Sequence, residues 1–234
     1  MICCTYIWNI PCQVSPYHRI TSTLVLRVTM ENKLTRNAAR YLASRMNVHT
    51  RKEGIEFEKM AVGMEIVLIN VSKAIIVYSL AAWFGILVQT FFAHAAFSLL
   101  KRYSFGLHAL NSTVCTAVSC SLFILIPLVL IGVSYRINPY MLVAVYIVII
   151  AILYRYAPAD TKSRPLIGAR LRRRLKTRAV ICGVALAVVS ILVPDESIRL
   201  SLTLGAVYQS AAILPVTYRL LRRSERNYEA YEYA

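Results

Sequence analysis

The chain has 234 residues, of which 58% are hydrophobic and only 16% charged, where an ordinary soluble domain carries about a quarter charged residues, so the expected solvent is lipid. A formal net charge of +16 invites a nucleic-acid reading, but the Lys and Arg residues lie between apolar runs, where the positive-inside bias puts them on the cytoplasmic face, and no nucleic acid is expected as a partner. Six cysteines (Cys3, Cys4, Cys12, Cys115, Cys120, Cys182) show no disulfide framework, and without zinc spacing, glycine-rich phosphate loops or a GxSxG elbow no metal or other cofactor is expected.

Residues 1–29 lack the basic start, continuous apolar core and cleavage site of a signal peptide, and are read as an N-terminal extension without a packed role, with Met30 as the natural start. Residues 30–60 form a cytoplasmic amphipathic region: Leu34, Ala38, Tyr41 and Leu42 share one helical face while Lys33, Arg36 and Arg40 lie elsewhere, a pattern fit for the bilayer interface. From Ala61 to Leu100 the chain is long enough, at about 1.5 Å per residue, for two crossings of a core about 30 Å thick, which predicts a helical hairpin. Glu65, Asn70 and Lys73 fall in its first crossing and must face protein, water or the interface.

Further spans are expected at about 113–134, 139–156, 178–194 and 198–218, making six in a transmembrane domain of residues 61–218, with a tail from 219 to 234. Seven Lys/Arg between residues 31 and 60, and Arg219, Arg222 and Arg223 near the other end, place both termini in the cytoplasm. The loop from Arg155 to Arg178, with nine Lys/Arg against Asp160 alone, falls inside as well. Tyr135 and Tyr140 then mark the outer interface, and Tyr103, Tyr154, Tyr156 and Tyr218 the inner one. The expected fold is an all-α integral membrane protein, multi-pass in the cell membrane, with about six transmembrane helices and an N-terminal interfacial amphipathic helix.

The segment Lys101-Arg-Tyr-Ser-Phe-Gly-Leu-His-Ala-Leu-Asn-Ser-Thr-Val-Cys115 carries the chemistry. A cysteine thiolate is a strong nucleophile, and a nearby imidazole activates it and later protonates a leaving amine. Seven residues of straight helix would hold the Cα atoms of His108 and Cys115 roughly 10.5 Å apart, so joint action requires a break. Gly106 supplies backbone freedom, and Asn111 or Ser112 is a suitable N-cap for the third span. With Ser112 as cap, Cys115 is the third helical residue, where the dipole and open amides stabilise negative charge and can receive an oxyanion. By spacing alone, an interfacial His and a packed Cys are the simpler account of the pair. His94, Cys120 and Cys182 read as packing or interhelical hydrogen-bonding residues.

The stretch Lys101-Arg102-Tyr-Ser-Phe-Gly106-Leu-His108-Ala109, followed by Cys115, resembles the accessory gene regulator B family (AgrB) of Gram-positive quorum-sensing systems. A second block, Tyr156-Ala157-Pro158-Ala159-Asp160-Thr161-Lys162-Ser163-Arg164-Pro165, is similar to that family's signature after the fourth span, and the likeness covers about residues 30–220. It implies a membrane-embedded cysteine endopeptidase that cuts a short membrane-bound propeptide, AgrD, on the cytoplasmic side and promotes its closure to a cyclic thiolactone or lactone. Cys115 matches the nucleophile and His108 the general base; Lys101, Arg102 and Gly106 match supporting motif positions, with Asn111 and Ser112 as further candidates. Lys101 stands where relatives often have Arg, and a lysine offers a point charge rather than a bidentate fork. The resemblance also implies a homodimer.

The implied route is attack by the Cys115 thiolate on a backbone carbonyl, release of the C-terminal fragment, and displacement of Cys115 from the thioester by an internal Cys or Ser. Lys162, Arg164, Arg170, Arg172, Arg173 and Arg174, with Lys176 and Arg178, offer an acidic propeptide tail a docking surface, although membrane topology alone accounts for the same charges. Two other classes stay open on the residues: a small transporter or exporter, for which Glu65 and Lys73 could form a buried polar pair, and a non-enzymatic scaffold.

Overall fold

The computed structural model describes residues 33–51, 53–106, 112–133, 137–161 and 166–221, with the backbone alone at 33, 34, 49, 50, 112 and 113. The proposed extension 1–29 and nearly all of the tail lie outside the described residues. What is described is helical, without strands; one isolated parallel bridge pairs Phe105 with Ala159. The chain divides into two compact units, Met1–Val77 with Ala109–Ser119, and Tyr78–His108 with Cys120–Ala234.

In the first unit, α1 (Lys33–Thr50) ends at a turn where Arg51 and Gly54 have positive φ, and α2 (Ile55–Trp83) follows. Glu56 and Glu58 in the first turn of α2 complement its dipole, and Glu58 accepts from Arg40 Nη2 at 2.8 Å, tying α1 to α2. α1 buries Ala39 and Ala43, one turn apart, and leaves Tyr41, Leu42 and Met46 exposed. Of the expected apolar face, Ala38, Tyr41 and Leu42 are therefore uncovered, as a face laid on lipid requires, and the side chain of Leu34 lies outside the described residues. Glu65 and Lys73 in α2 are both buried, so they face protein rather than acyl chains. They do not pair with each other, because eight residues of one helix separate them by about 12 Å.

In the second unit, the end of α2 turns at Phe84-Gly85-Ile86 into α3 (Leu87–Ser104), with Gly85 at a φ of 70°, so a turn falls inside the stretch expected to make two crossings. The expected third span consists of α4 (Ser112–Cys120), which up to Ser119 belongs to the first unit, followed in the second by a π turn (Ser121–Leu125) and α5 (Ile126–Gly132). Pro127 explains the irregularity: it has no N–H for the carbonyl of Phe123, and Thr90 Oγ1 of α3 donates to that oxygen at 2.9 Å instead. α6 (Pro139–Tyr156) coincides with the expected fourth span, its N-cap Asn138 accepting from Tyr140 N at 2.9 Å.

Three expectations need correction. The fifth span, expected at 178–194, is α7 (Ala169–Leu192), so the basic residues from Arg170 to Arg178 form its first turns instead of a loop. Leu171 and Leu175, four apart, give those turns an inward face between the cations, and Leu175 is buried. The sixth span, expected to run to 218, is α8 (Glu196–Ala212) and a separate α9 (Pro215–Leu220), because Pro215 cannot continue a helix. Tyr218 leaves the predicted inner aromatic belt, for it is buried and donates to the carbonyl of Asp160 at 3.0 Å.

Among the described residues, four helices are long and apolar enough to cross a bilayer: Ile55–Trp83, Val114–Gly132, Pro139–Tyr156 and Ala169–Leu192. The other two expected crossings correspond to α3 and α8, which carry Thr90, His94, Ser104, Ser201, Thr203, Gln209 and Ser210, all buried. Those polar groups turn toward protein, and neither helix is among the four, so four of the six expected crossings are matched by helices of sufficient length and apolarity. α3 and α8 form the most intimate helix pair. Gly205 makes it possible, since a Cβ there would stand 2.1 Å from the carbonyl oxygen of Ala93. Between α6 and α7 the same device recurs at Gly183 against Leu153, with Tyr146 OH and Ser190 Oγ hydrogen-bonded at 2.6 Å. Leu100, Leu142, Tyr146, Ile149, Leu153, Ala179, Leu186, Ala206 and Ile213 form the core of this unit.

Candidate functional site

α3 ends at Ser104 because the next two residues leave helical space: Phe105 has a φ of 58° and Gly106 a φ of 110°. Positive φ is costly for Phe105 and natural for glycine. At Gly106 a second constraint applies, since a Cβ would meet Ile213 Cγ2 at 3.1 Å and the Ala212 carbonyl at 3.4 Å. The expectation that Gly106 breaks the helix is met, and the site also needs its missing side chain.

The two sequence blocks pack on each other at this point. Gly106 N donates to Ala159 O at 3.0 Å and Ala159 N donates to Ser104 O at 2.9 Å, which is the bridge between Phe105 and Ala159. The second strip is anchored in turn by Tyr218 on Asp160 and follows a cis Ala157–Pro158 bond. Beneath the first strip lies Gln209 of α8, whose Nε2 donates to Ser104 Oγ at 2.8 Å and to Phe105 O at 2.6 Å. Ser104 Oγ itself donates to Leu100 O at 2.9 Å. Gln209 and Tyr218 were not among the predicted site residues. A signal existed for Gln209: an amide side chain inside an apolar run needs an interhelical partner.

Cys115 is the fourth residue of α4, one place deeper than the cap expectation put it, since the helix begins at Ser112 itself. Its side chain is 0% exposed, and its carbonyl accepts from Ser119 Oγ at 2.8 Å as well as serving the helix. Cys115, Cys120 and Cys182 are thiols without disulfides. His108 and Asn111 lie outside the described residues, as do the side chain of Ser112 and, in the second block, Lys162 and Arg164.

Lys101 is buried in the last turn of α3, its Nζ 5.2 Å above the ring of Phe97, whereas Arg102 is exposed beside Tyr103. The motif's two cations thus have different surroundings: one backs onto an aromatic face, the other meets the exterior. On α7, Arg170, Arg173, Arg174 and Arg178 are exposed. Arg172 Nη1 donates to Leu166 O at 2.9 Å, and Lys176 Nζ lies 4.3 Å over the ring of Tyr154, so these two also brace the fold. His94 keeps the role expected of it, with Nδ1 2.9 Å from Tyr78 OH across the hairpin. Among the described residues no group of His, Cys, Asp or Glu is arranged to hold a metal.

Residues 35–213 match the family described as Accessory gene regulator B. An AgrB-like protein of Clostridium acetobutylicum is 39% identical over 194 residues, covering 83% of this chain and 92% of its own length. Another from Listeria innocua is 37% identical over 204 residues, or 87% of this chain and 98% of that protein. Accessory gene regulator protein B of Staphylococcus aureus is 30% identical over 188 residues, or 80% and 96% of the two chains. No solved structure matches the chain.

Proposed function

Because this chain belongs to the accessory gene regulator B family, which carries a role in accessory gene regulator quorum sensing, we propose that it is the membrane-embedded cysteine endopeptidase acting on an AgrD-like propeptide. Cys115 is the nucleophile and His108 the general base. The thiolate of Cys115 adds to one backbone carbonyl of the propeptide, the C–N bond breaks, and His108 delivers the proton to the departing amine. The N-terminal part stays on Cys115 as a thioester. An internal Cys or Ser of the propeptide then attacks that thioester, giving up its proton to His108, and the ring closes as a thiolactone or lactone while Cys115 is released.

The observation that carries this reading is the complete burial of Cys115 in the first turn of α4. Burial keeps bulk water from the sulfur, and a thioester that must wait for an internal nucleophile needs that protection from hydrolysis. The joined strips at 104–106 and 159 support it from the other motif, since they bring together the described parts of both sequence blocks. The exposed arginines of α7 face an acidic propeptide tail on the cytoplasmic side, to which both termini also belong.

The test is coexpression with the propeptide, comparing wild type, Cys115→Ala and His108→Ala by mass spectrometry of the cleaved fragment. Both variants are expected to lose cleavage. Retention in either one ends the assignment.

A further inference from the structure

Gln209 has no part in the chemistry just described, yet it is 0% exposed and spends both of its donors on the strip that precedes His108. Its orientation is unambiguous: a main-chain carbonyl can only accept, so the group within 2.6 Å of Phe105 O must be the NH₂ end. The other end, Oε1, is buried with no partner among the described residues. A fold that wanted only packing here would use Leu or Met, which leave no orphaned acceptor in a bilayer-spanning bundle. The unmatched oxygen is a cost retained for the sake of the two donated bonds.

Those bonds act on an unusual piece of backbone. Phe105 stands at positive φ, a conformation that strains a non-glycine residue and that its surroundings must hold. Three restraints hold it: Gln209 on its carbonyl, Ala159 on both sides of it, and the wall of Ala212 and Ile213 against Gly106. Gln209, Ala212 and Ile213 all belong to one turn and end of α8, so a single rigid element supplies the floor.

We infer that Gln209 is a positioning residue for the general base, holding Ser104 and Phe105, which stand four and three places before His108 in the sequence, in the non-helical course that ends α3. The inference rests on the reading of His108 as the base. It adds a residue about a hundred positions away in sequence to the machinery, acting through backbone and not through substrate.

The test uses the full-length protein in phosphatidylcholine and phosphatidylglycerol vesicles with synthetic propeptide, kcat and KM being measured per folded protein. Gln209→Met keeps length and volume and removes both donors. A misplaced base slows the chemical step without weakening substrate binding, so kcat is expected to fall roughly ten- to hundredfold with KM within about twofold. Ser104→Ala removes one of the two acceptors and is expected to lower kcat by roughly threefold, again with KM nearly constant. A folded Gln209→Met with wild-type kcat overturns the inference. If that variant does not fold, a wild-type kcat in Ser104→Ala overturns it equally. His108→Ala in the same vesicles separates the two readings: cleavage retained there removes His108 as base and this inference with it, whereas cleavage lost there but unchanged in Gln209→Met removes only the role of Gln209.

Discussion

Replacing Gly205 by alanine puts the close contact of α3 and α8 to a quantitative test. The added Cβ would lie 2.1 Å from the Ala93 carbonyl oxygen and 3.0 Å from Ala96 Cβ. Ordinary C–H···O contacts begin near 3.3 Å, so α3 and α8 must part by about 1.2 Å at this point. A gap of that size forfeits a quarter to a half of the dispersion energy of the contacts around it, and overpacking of a tight interface costs about 1–3 kcal/mol. Because the obstacle is backbone and not a flexible side-chain end, we expect about 3 kcal/mol. Gly132→Ala is the control: nothing lies within 4 Å of its would-be Cβ, and helix propensity favours alanine by up to about 1 kcal/mol. Denaturant titration of both variants in bicelles, followed by helical circular dichroism, measures the pair. If Gly205→Ala unfolds within about 0.5 kcal/mol of wild type, α3 and α8 are not in backbone contact and the packing argument is wrong.

Tyr146→Phe removes the hydroxyl paired with Ser190 Oγ while keeping the ring, and should cost about 0.6–1.7 kcal/mol in the same titration, the range for interhelical hydrogen bonds in bilayers. Raising salt from about 0.05 to 0.5 M shortens the screening length several-fold, so if Arg170, Arg173 and Arg174 dock an acidic propeptide tail, KM for cleavage should rise while kcat holds. A KM indifferent to salt, or equal in a triple Gln variant of those arginines, leaves them to membrane topology alone.

Much of this architecture is written in local pattern. The fourth span emerged at 139–156 because an unbroken apolar run between Asn138, Pro139 and the Arg155 end leaves a helix little choice of boundary. A turn within 61–100 followed from length, and its place at Gly85 from glycine's freedom at positive φ. Gly106 was legible as a break because glycine tolerates what Phe105 must be forced into. Where the reading went astray, long-range terms decided. The basic stretch from 170 to 178 looked like a loop by charge, but Leu171 and Leu175 give it a buried side, so the helix extends to Ala169. Tyr218 looked interfacial as an aromatic near a span end, and went inside because Asp160 O needed a donor.

The residues alone determined that the chain is an all-α membrane protein and which family it resembles, since composition, periodicity and motif spelling are properties of a one-dimensional string. Only the tertiary structure decided that residues 104–106 and 159 lie side by side, and that Gln209 and Tyr218 hold them. Hydrogen bonds between groups 53 to 105 positions apart leave no periodic trace in sequence. They arise when packed helices bring strained backbone and buried donors within reach, and the bilayer, offering no water to either, makes each depend on the other.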